Sequence, residues 1–104
     1  MMDKLLRRVK KDAAFELEES KKNYEERFTS QSGARFILLE ELEETIDELK
    51  KADGLIADLR EGQDMSRSDI RFLEGCMLNL ACEAIQSAAM CRKWLESLPF
   101  SDAS

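Results

Sequence analysis

Histidine is absent from this 104-residue chain, and its absence excludes several kinds of site. A Ser-His-Asp triad, a Cys-His pair and a histidine-ligated zinc ion all need an imidazole. Proline occurs once, glycine four times and valine once, as Val9. Because helix breakers and β-branched residues are so few, the sequence predicts long helices rather than a sheet.

Long apolar runs are also missing. None approaches the roughly 20 residues that span a bilayer, and the first eleven residues are dominated by charge, unlike a signal peptide. Cys76, Cys82 and Cys91 fall in one predicted helix, whose geometry spreads them around the rod, so they are predicted to be reduced thiols. Together these features predict a soluble, cytoplasmic protein.

Negative charge predominates over positive charge. Asp and Glu number 22 against 16 Lys and Arg, which gives a formal net charge of −6. Such a surface disfavours direct binding to nucleic acid, which depends on Lys and Arg at the phosphates, and it disfavours anionic membranes. It is compatible with a divalent-cation site, and equally with docking onto a basic protein surface.

Apolar residues recur at steps of three and four in three segments. This period predicts helices over about residues 3–28, 33–61 and 67–98, followed by a loose tail over 99–104. Serine side chains are predicted to cap the second and third helices, and glycine or proline to end them. The candidates are Ser30 or Ser32 for the second helix and several choices over residues 66–69 for the third, where Ser66 with Asp69 resembles a capping box; Gly62 and Pro99 are candidates for the ends, and Gly54 for a kink or an earlier end.

The third segment has the widest apolar stripe and is therefore predicted to be the most buried helix. Its stripe consists of Leu73, Met77, Leu80, Ala84, Ala88, Cys91, Leu95 and Leu98, and it is widened by Cys76, Ile85, Ala89 and Trp94. Three long antiparallel helices on so short a chain enclose too little interior for a full core. The sequence thus predicts a single all-α domain over residues 1–104, with a four-helix-bundle-type core that dimerisation completes.

One stretch of the second helix is crowded with carboxylates. Between Leu39 and Leu49 the acidic residues are Glu40, Glu41, Glu43, Glu44, Asp47 and Glu48. Because residues three or four apart share one side of a helix, Glu41, Glu44 and Glu48 form a row. Like charges this close repel one another, and a hard cation such as Mg²⁺, or Mn²⁺, would offset the repulsion.

Glu83 is predicted to supply the other half of such a site. It is the only acidic residue between Glu74 and Glu96, in an apolar stretch where a lone carboxylate needs a partner or a cation. Gln86 follows it by one turn. The alternative is a solvated acidic surface whose carboxylates pair with lysine and arginine. The metal hypothesis requires Glu41 and Glu83 to converge in space.

The two motifs resemble those of a known family. Glu40-Glu41-x-x-Glu44 on one helix, followed by Glu83-x-x-Gln86 on the next, is similar to the all-α nucleotide pyrophosphohydrolases of the MazG type. The stretches 36–48 and 82–90 are also similar to small MazG-like proteins of bacteria and their phages. The resemblance covers roughly residues 28–98.

The resemblance implies a fold and an activity. The family is dimeric or tetrameric, has a four-helix-bundle core, and uses Mg²⁺ to hydrolyse a nucleoside triphosphate to a monophosphate and pyrophosphate. Carried over by position, Glu41, Glu44, Glu83 and Gln86 would be metal ligands, and Glu40 and Glu48 would be catalytic or supporting residues. This sequence departs from the family motif at Gln86, where the family has Asp. An amide oxygen can bind Mg²⁺ but brings no charge, so the substitution weakens the implied metal site.

Three further residues are candidates for contacts with the nucleotide. Arg92 and Lys93 lie about two turns beyond Gln86, where they would meet phosphates, and Trp94 would stack on a base. The alternative is two exposed cations near the end of a helix, where the dipole favours them, and a tryptophan that packs the end of the bundle.

Two functional hypotheses from different classes follow. The first is a Mg²⁺-dependent nucleoside triphosphate pyrophosphohydrolase. The second is a non-catalytic acidic helical interaction protein that docks on a basic protein surface, such as a phage-encoded inhibitor, or a nucleotide-binding protein with a degenerate site. The uncharged Gln86 favours the second hypothesis, and the clustered carboxylates favour the first.

Overall fold

The described part of the chain is all helical. The computed structural model describes residues 2–59 and 62–100, which form α1 (Met2–Asn23), α2 (Gln31–Ala57) and α3 (Arg67–Ser97), with no strand among them. The prediction of three helices is confirmed. Residues 101–104 of the predicted tail, and the predicted end of the second helix at residue 61, lie outside the described residues.

The serine caps form as the sequence predicts. The Ser30 hydroxyl accepts a hydrogen bond from the Gly33 amide at 3.0 Å, and the Ser66 hydroxyl accepts one from the Asp69 amide at 3.2 Å. Each bond satisfies an amide that the first helical turn leaves free. The starts of α2 and α3 are therefore explained by local sequence.

The end of α2 differs from the prediction. The helix continues through Gly54 and stops at Ala57, and Gly62, although its φ is +79°, lies five residues beyond this last helical residue and does not cap it. The Asp58 amide still donates to the Gly54 carbonyl at 3.0 Å, and the Leu59 amide then donates to the Ile56 carbonyl at 3.2 Å. This tightening of the last turn ends the helix before the predicted glycine.

Helix α1 also ends earlier than its apolar period predicts, at Asn23 instead of residue 28. Tyr24 is 78% exposed and does not join the stripe. Phe28 packs at the end of α3, where its amide donates to the Ser97 hydroxyl at 2.9 Å and the Lys93 amine lies 5.1 Å from its ring centroid. A tertiary contact thus takes Phe28 out of the helix that its spacing predicts.

Helix α3 is the central element, because it contacts both other helices. In the described part of the chain α1 and α2 do not contact each other. Helix α2 runs antiparallel to α3, with Gln31 beside Trp94 at one end and Glu48 beside Asn79 further along. The end of α1 lies beside the end of α3. A cleft therefore opens between α1 and α2, and α3 forms its floor.

The core of this arrangement is thin. The fully buried residues described are Leu17, Ala34, Ala52, Cys76, Ala89, Lys93 and Ser97. The radius of gyration is 17.5 Å, against about 13 Å for a compact chain of this length. No described helix is long and apolar enough to cross a bilayer.

Helix α3 has more buried residues than either other described helix, as predicted, but only part of its apolar stripe is buried. Met77 and Leu95 are 45% and 60% exposed, whereas Cys76 and Ala89 are buried. Small side chains on the packed face let α1 and α2 approach closely, and the larger apolar side chains remain outside. Completion of the core by a second chain stays a prediction.

Because Leu17 is the one large apolar side chain among these buried residues, its truncation should be costly. We expect Leu17→Ala to lower the free energy of unfolding by about 2–4 kcal/mol through lost burial and the cavity left behind. Phe15→Ala, on the same helix at a position 63% exposed, is the matched control and should cost less than about 1 kcal/mol. Urea denaturation measures both values, and equal losses would contradict the assigned core.

Candidate metal centre

Three carboxylates from two helices converge near the middle of the bundle. One oxygen from each of Glu41, Glu44 and Glu83 lies within 4.8 Å of the other two. Helix α2 places Glu41 and Glu44 one turn apart, and the antiparallel register of α3 brings Glu83 opposite them. The convergence of Glu41 and Glu83, which the metal hypothesis requires, is present in the fold.

Two of these carboxylates have oxygens with no partner. Oε2 of Glu41 and Oε2 of Glu83 are buried and accept no hydrogen bond from any described residue, and the same is true of the Ser87 hydroxyl. An unsatisfied buried polar atom costs about 1–3 kcal/mol, and more when it is charged. Carboxylate oxygens in this state suit a hard cation, which takes oxygen ligands.

The protonation of the cluster reflects this crowding. Burial, and then the charge of Glu44, raises the pKa of both Glu41 and Glu83 above 4.5. Weaker repulsion comes from Glu83 on Glu41 and from Glu48 on Glu83. A divalent cation would favour the ionised forms of both groups and so reverse these shifts.

Glu48 lies near the three converging carboxylates but has hydrogen-bond partners of its own. Its Oε1 accepts from Asn79 Nδ2 at 3.1 Å, and its Oε2 accepts from Lys51 Nζ at 3.2 Å. The hydrogen bond from Asn79, and then that from Lys51, lowers the pKa of Glu48. Glu48 is therefore held as an anion by its own partners.

Glu40 and Gln86 are both exposed and line the cleft, and Glu40 is not one of the three converging carboxylates. The cleft has a volume of about 820 Å³, and its lining includes Glu40, Glu41, Gln86, Lys93, Phe28 and Phe36. Since Glu41 belongs to both the cleft and the cluster, the carboxylate centre lies at the edge of a space large enough for a small organic ligand.

Lys93 contributes an unusual cation to this cleft. It is only 4% exposed, its amine donates to the Ser20 hydroxyl at 3.1 Å, and no described carboxylate forms an ion pair with it. Burial lowers its pKa, and the charge of Glu25 offsets part of that effect. A buried amine with no counter-ion is suited to an anionic ligand.

The structure separates Lys93 from its two predicted companions. Arg92 is exposed, and Trp94 donates its indole N–H to the Gln31 side chain at 2.7 Å, joining α3 to the start of α2. Of the three, only Lys93 lines the cleft. The spacing in the sequence indicates that Lys93 shares the cleft with Gln86, because it lies seven residues later and thus on nearly the same face of α3.

The roles of Asn79 and Ser20 follow from tertiary contacts. Asn79 is a polar residue in an apolar stretch, but its pairing with Glu48 depends on the register of α2 and α3. Ser20 lies in a charged segment of α1 with no signal that it meets Lys93.

No protein-family model, curated protein or solved structure matches this chain. The resemblance to the MazG type rests on the motif residues alone.

Metal-free protein should lose stability as the pH rises above 4.5. Glu41 and Glu83 have raised folded pKa values, so their stabilising contribution is fully present below the unfolded value of 4.5 and is lost as the pH passes the folded pKa. Glu48, with a lowered pKa, acts with the opposite sign and loses its contribution as the pH falls. Comparing wild type with a variant that lacks one of the two raised carboxyl groups separates their effect on stability from that of Glu48.

We expect Glu83→Gln to be more stable than wild type at neutral pH in chelator, with the difference shrinking toward pH 4.5. The amide imitates the protonated acid, so it removes the repulsion at every pH. Chemical denaturation across this pH range measures the difference. Glu43→Gln, at an exposed position of α2, should show no such trend, and a flat difference for Glu83→Gln would contradict the burial argument.

Proposed function

We propose that this protein is a Mg²⁺-dependent nucleoside triphosphate pyrophosphohydrolase of the MazG-like type, which converts a nucleoside triphosphate to a monophosphate and pyrophosphate. The observation that carries the proposal is the convergence of Glu41, Glu44 and Glu83, two of which have buried oxygens without a partner. Carboxylates arranged in this way fit Mg²⁺, with Mn²⁺ as the alternative ion.

The metal would be held by Glu41, Glu44 and Glu83. Bound there, Mg²⁺ would supply Lewis-acid stabilisation of phosphate charge during hydrolysis between the α and β phosphorus atoms. Glu48, held anionic by Asn79 and Lys51, adds negative potential beside the cluster. Glu40 also lines the cleft and would orient a water molecule or a substrate hydroxyl there.

The cleft supplies the binding site for the triphosphate. Lys93 has amine protons free to donate beyond its bond to Ser20, and it lines the same cleft as Glu41. A phosphate chain between the cluster and Lys93 would neutralise the buried amine. Phe28 and Phe36, which also line the cleft, offer apolar surface to a base or ribose.

Self-association is part of the proposal. Large apolar side chains on α2 and α3 remain exposed, among them Ile46, Leu49, Met77 and Leu95 at 45–60%. Many large apolar side chains left exposed on two helices favour an interface. A homodimer would complete the thin core that one chain forms.

Gln86 supports a second candidate, a nucleotide-binding or interaction protein without turnover. It lines the cleft but brings no charge, so the centre has one carboxylate fewer than the family it resembles. In that case the exposed acidic side chains of α2, such as Glu43 and Asp47, would dock on a basic protein surface.

The decisive experiment is an assay of pyrophosphate release from each nucleoside triphosphate with Mg²⁺ or Mn²⁺. We expect metal-dependent release by wild type, a loss of about 100-fold or more in Glu83→Gln, and faster release by Gln86→Asp, with Glu43→Gln as the unchanged control. If neither wild type nor Gln86→Asp releases pyrophosphate, the proposed hydrolase activity is refuted. Retained nucleotide binding in that case would support the second candidate.

A further inference from the structure

Ser87 has a buried hydroxyl that the proposed function does not use. Its Oγ forms no hydrogen bond with a described residue. The other two buried side-chain oxygens in this state, within the described chain, are Oε2 of Glu41 and Oε2 of Glu83, and both belong to the carboxylate cluster. Because buried polar atoms in folded proteins nearly always have a partner, each of the three requires an explanation.

The hydroxyl of Ser87 does not make the bond that other hydroxyls on these helices make. Thr45 on α2 and Ser97 on α3 each donate to the main-chain carbonyl four residues earlier, at 2.9 Å and 2.7 Å. This is a common arrangement for serine and threonine within a helix. Ser87 has the carbonyl of Glu83 at the same spacing, but it makes no bond to it. Its hydroxyl is therefore free to meet a group outside its own helix.

Ser87 lies on the face of α3 that contacts α2. Glu83, one turn earlier, meets two carboxylates of α2. Trp94, two turns later, donates to Gln31 at the start of α2. Residues four and seven positions apart lie on nearly the same side of a helix. Ser87 therefore faces α2 between these two contacts.

The register of the two antiparallel helices sets Glu41 level with the turn between Glu83 and Ser87. Two hydrogen bonds fix this register, and they join Glu48 to Asn79 and Gln31 to Trp94. Position 41 is seven residues from the first bond and ten from the second, so it lies opposite about positions 84–86 of α3. The three oxygens without a partner thus belong to one short stretch of the hairpin.

A hydroxyl is a suitable metal ligand at this place. Mg²⁺ takes hard oxygen ligands, and serine and threonine hydroxyls are among those that proteins use. Because a hydroxyl is neutral, it adds a ligand without adding to the repulsion among the three carboxylates. Gln86, which the family motif sets three residues after Glu83, is exposed and lines the cleft. The buried oxygen that follows Glu83 on α3 is that of Ser87, one residue further along.

We propose that Ser87 is an oxygen ligand of the Mg²⁺ held by Glu41, Glu44 and Glu83. This inference rests on the metal site of the proposed function and adds a fourth ligand to it. The bound cation would give a partner to the hydroxyl and to the two carboxylate oxygens that lack one. Ser87 thus helps to hold and position the cation, so its loss weakens metal binding even when no nucleotide is present.

Isothermal titration of Mg²⁺ into the nucleotide-free full chain tests this role. We expect Ser87→Ala to bind Mg²⁺ about tenfold to 100-fold more weakly than wild type. Ser32→Ala, which changes an exposed serine of α2, is the matched control and should bind as wild type does. Equal affinity in Ser87→Ala and wild type would overturn the inference and leave the carboxylate site intact. A wild type that binds no metal would refute both.

Ser87→Cys tests direct contact between this side chain and the cation. Sulfur is a soft ligand that suits Cd²⁺ better than Mg²⁺. This variant is therefore expected to bind Mg²⁺ at least tenfold more weakly than wild type and Cd²⁺ at least tenfold more tightly, with a Cd²⁺–thiolate absorption band in the ultraviolet. Because a gain in affinity requires a folded site, a loss of fold cannot imitate this result.

Ser32→Cys measures how much Cd²⁺ an added exposed thiol binds by itself, beside the three cysteines that the chain already has. Its affinity for Mg²⁺ should equal that of wild type, and its gain in Cd²⁺ affinity should be much smaller than that of Ser87→Cys. If Ser87→Cys loses affinity for Mg²⁺ without this larger gain for Cd²⁺, the hydroxyl acts through packing or through a water molecule, and direct ligation is overturned. Pyrophosphate release tests the catalytic proposal separately from these affinities.

Discussion

Millimolar Mg²⁺ is expected to raise the melting temperature of the wild-type protein by roughly 10–20 °C when the site is saturated. A ligand that binds only the native state at a concentration 100 times its Kd adds about 2.7 kcal/mol, and a domain of this size shifts by about 4–8 °C per kcal/mol. The stabilisation arises because the cation relieves the repulsion among Glu41, Glu44 and Glu83 and occupies their unpartnered oxygens. Differential scanning fluorimetry across a metal titration measures the shift.

Variants of the cluster should lose this response. Glu41→Gln and Glu83→Gln are expected to start from a higher melting temperature in chelator and to gain little from Mg²⁺ or Mn²⁺, because each has lost a ligand charge and a source of repulsion. Glu43→Gln keeps all three converging carboxylates and should respond as wild type does. A shift of equal size in all four proteins would indicate general screening of acidic surface, and no shift in wild type would refute the metal site.

Lys93→Met is expected to stabilise the ligand-free protein and to weaken triphosphate binding at least tenfold. Lys93 is 4% exposed and has no ion-pair partner in the described chain, so its charge is desolvated without full compensation. Replacing such a group with an apolar side chain of similar length should add about 1–2 kcal/mol to the free energy of unfolding. The same change removes the one buried cation of the cleft, among the described residues, that a phosphate would meet.

Denaturation and isothermal titration with a triphosphate measure the two effects of Lys93→Met separately. Lys22→Met changes an exposed lysine of α1 and should alter stability by less than about 0.5 kcal/mol. If Lys93→Met is less stable than wild type and binds triphosphate equally well, the amine serves only to tie Ser20 and Phe28 to α3. An increase in stability together with weaker binding supports its proposed role in the cleft.

Local signals in the sequence predict the helices better than they predict the packing. Ser30 and Ser66 act as caps because a cap depends on residues within one turn. The exit of Phe28 from α1 depends on Ser97, some seventy residues away, and no local pattern contains that contact. The exposure of Met77 and Leu95 on α3 has the same origin, since apolar spacing identifies a face of a helix but not which neighbour covers it.

In the candidate site, too, local sequence predicts some features and tertiary contacts determine the others. Glu41 and Glu44 share a face through helical spacing alone, and Glu83 is recognisable as a lone carboxylate in an apolar segment. The pairing of Glu48 with Asn79 and the burial of Lys93 depend on the register and tilt of neighbouring helices. The sequence therefore predicts the carboxylates that converge, and it does not predict the partners that set their protonation or the cation across the cleft.

The lack of contact between α1 and α2 in the described chain makes the two halves of the site structurally separable. The carboxylate cluster is formed by the hairpin of α2 and α3, whereas the part of the cleft beside Lys93 also depends on the packing of α1 against α3. Substitutions that shift α1 can change the width of the cleft without moving Glu41 toward or away from Glu83. We therefore expect substitutions in the hairpin to change affinity for a cation and substitutions in α1 to change the choice of ligand, each without the other.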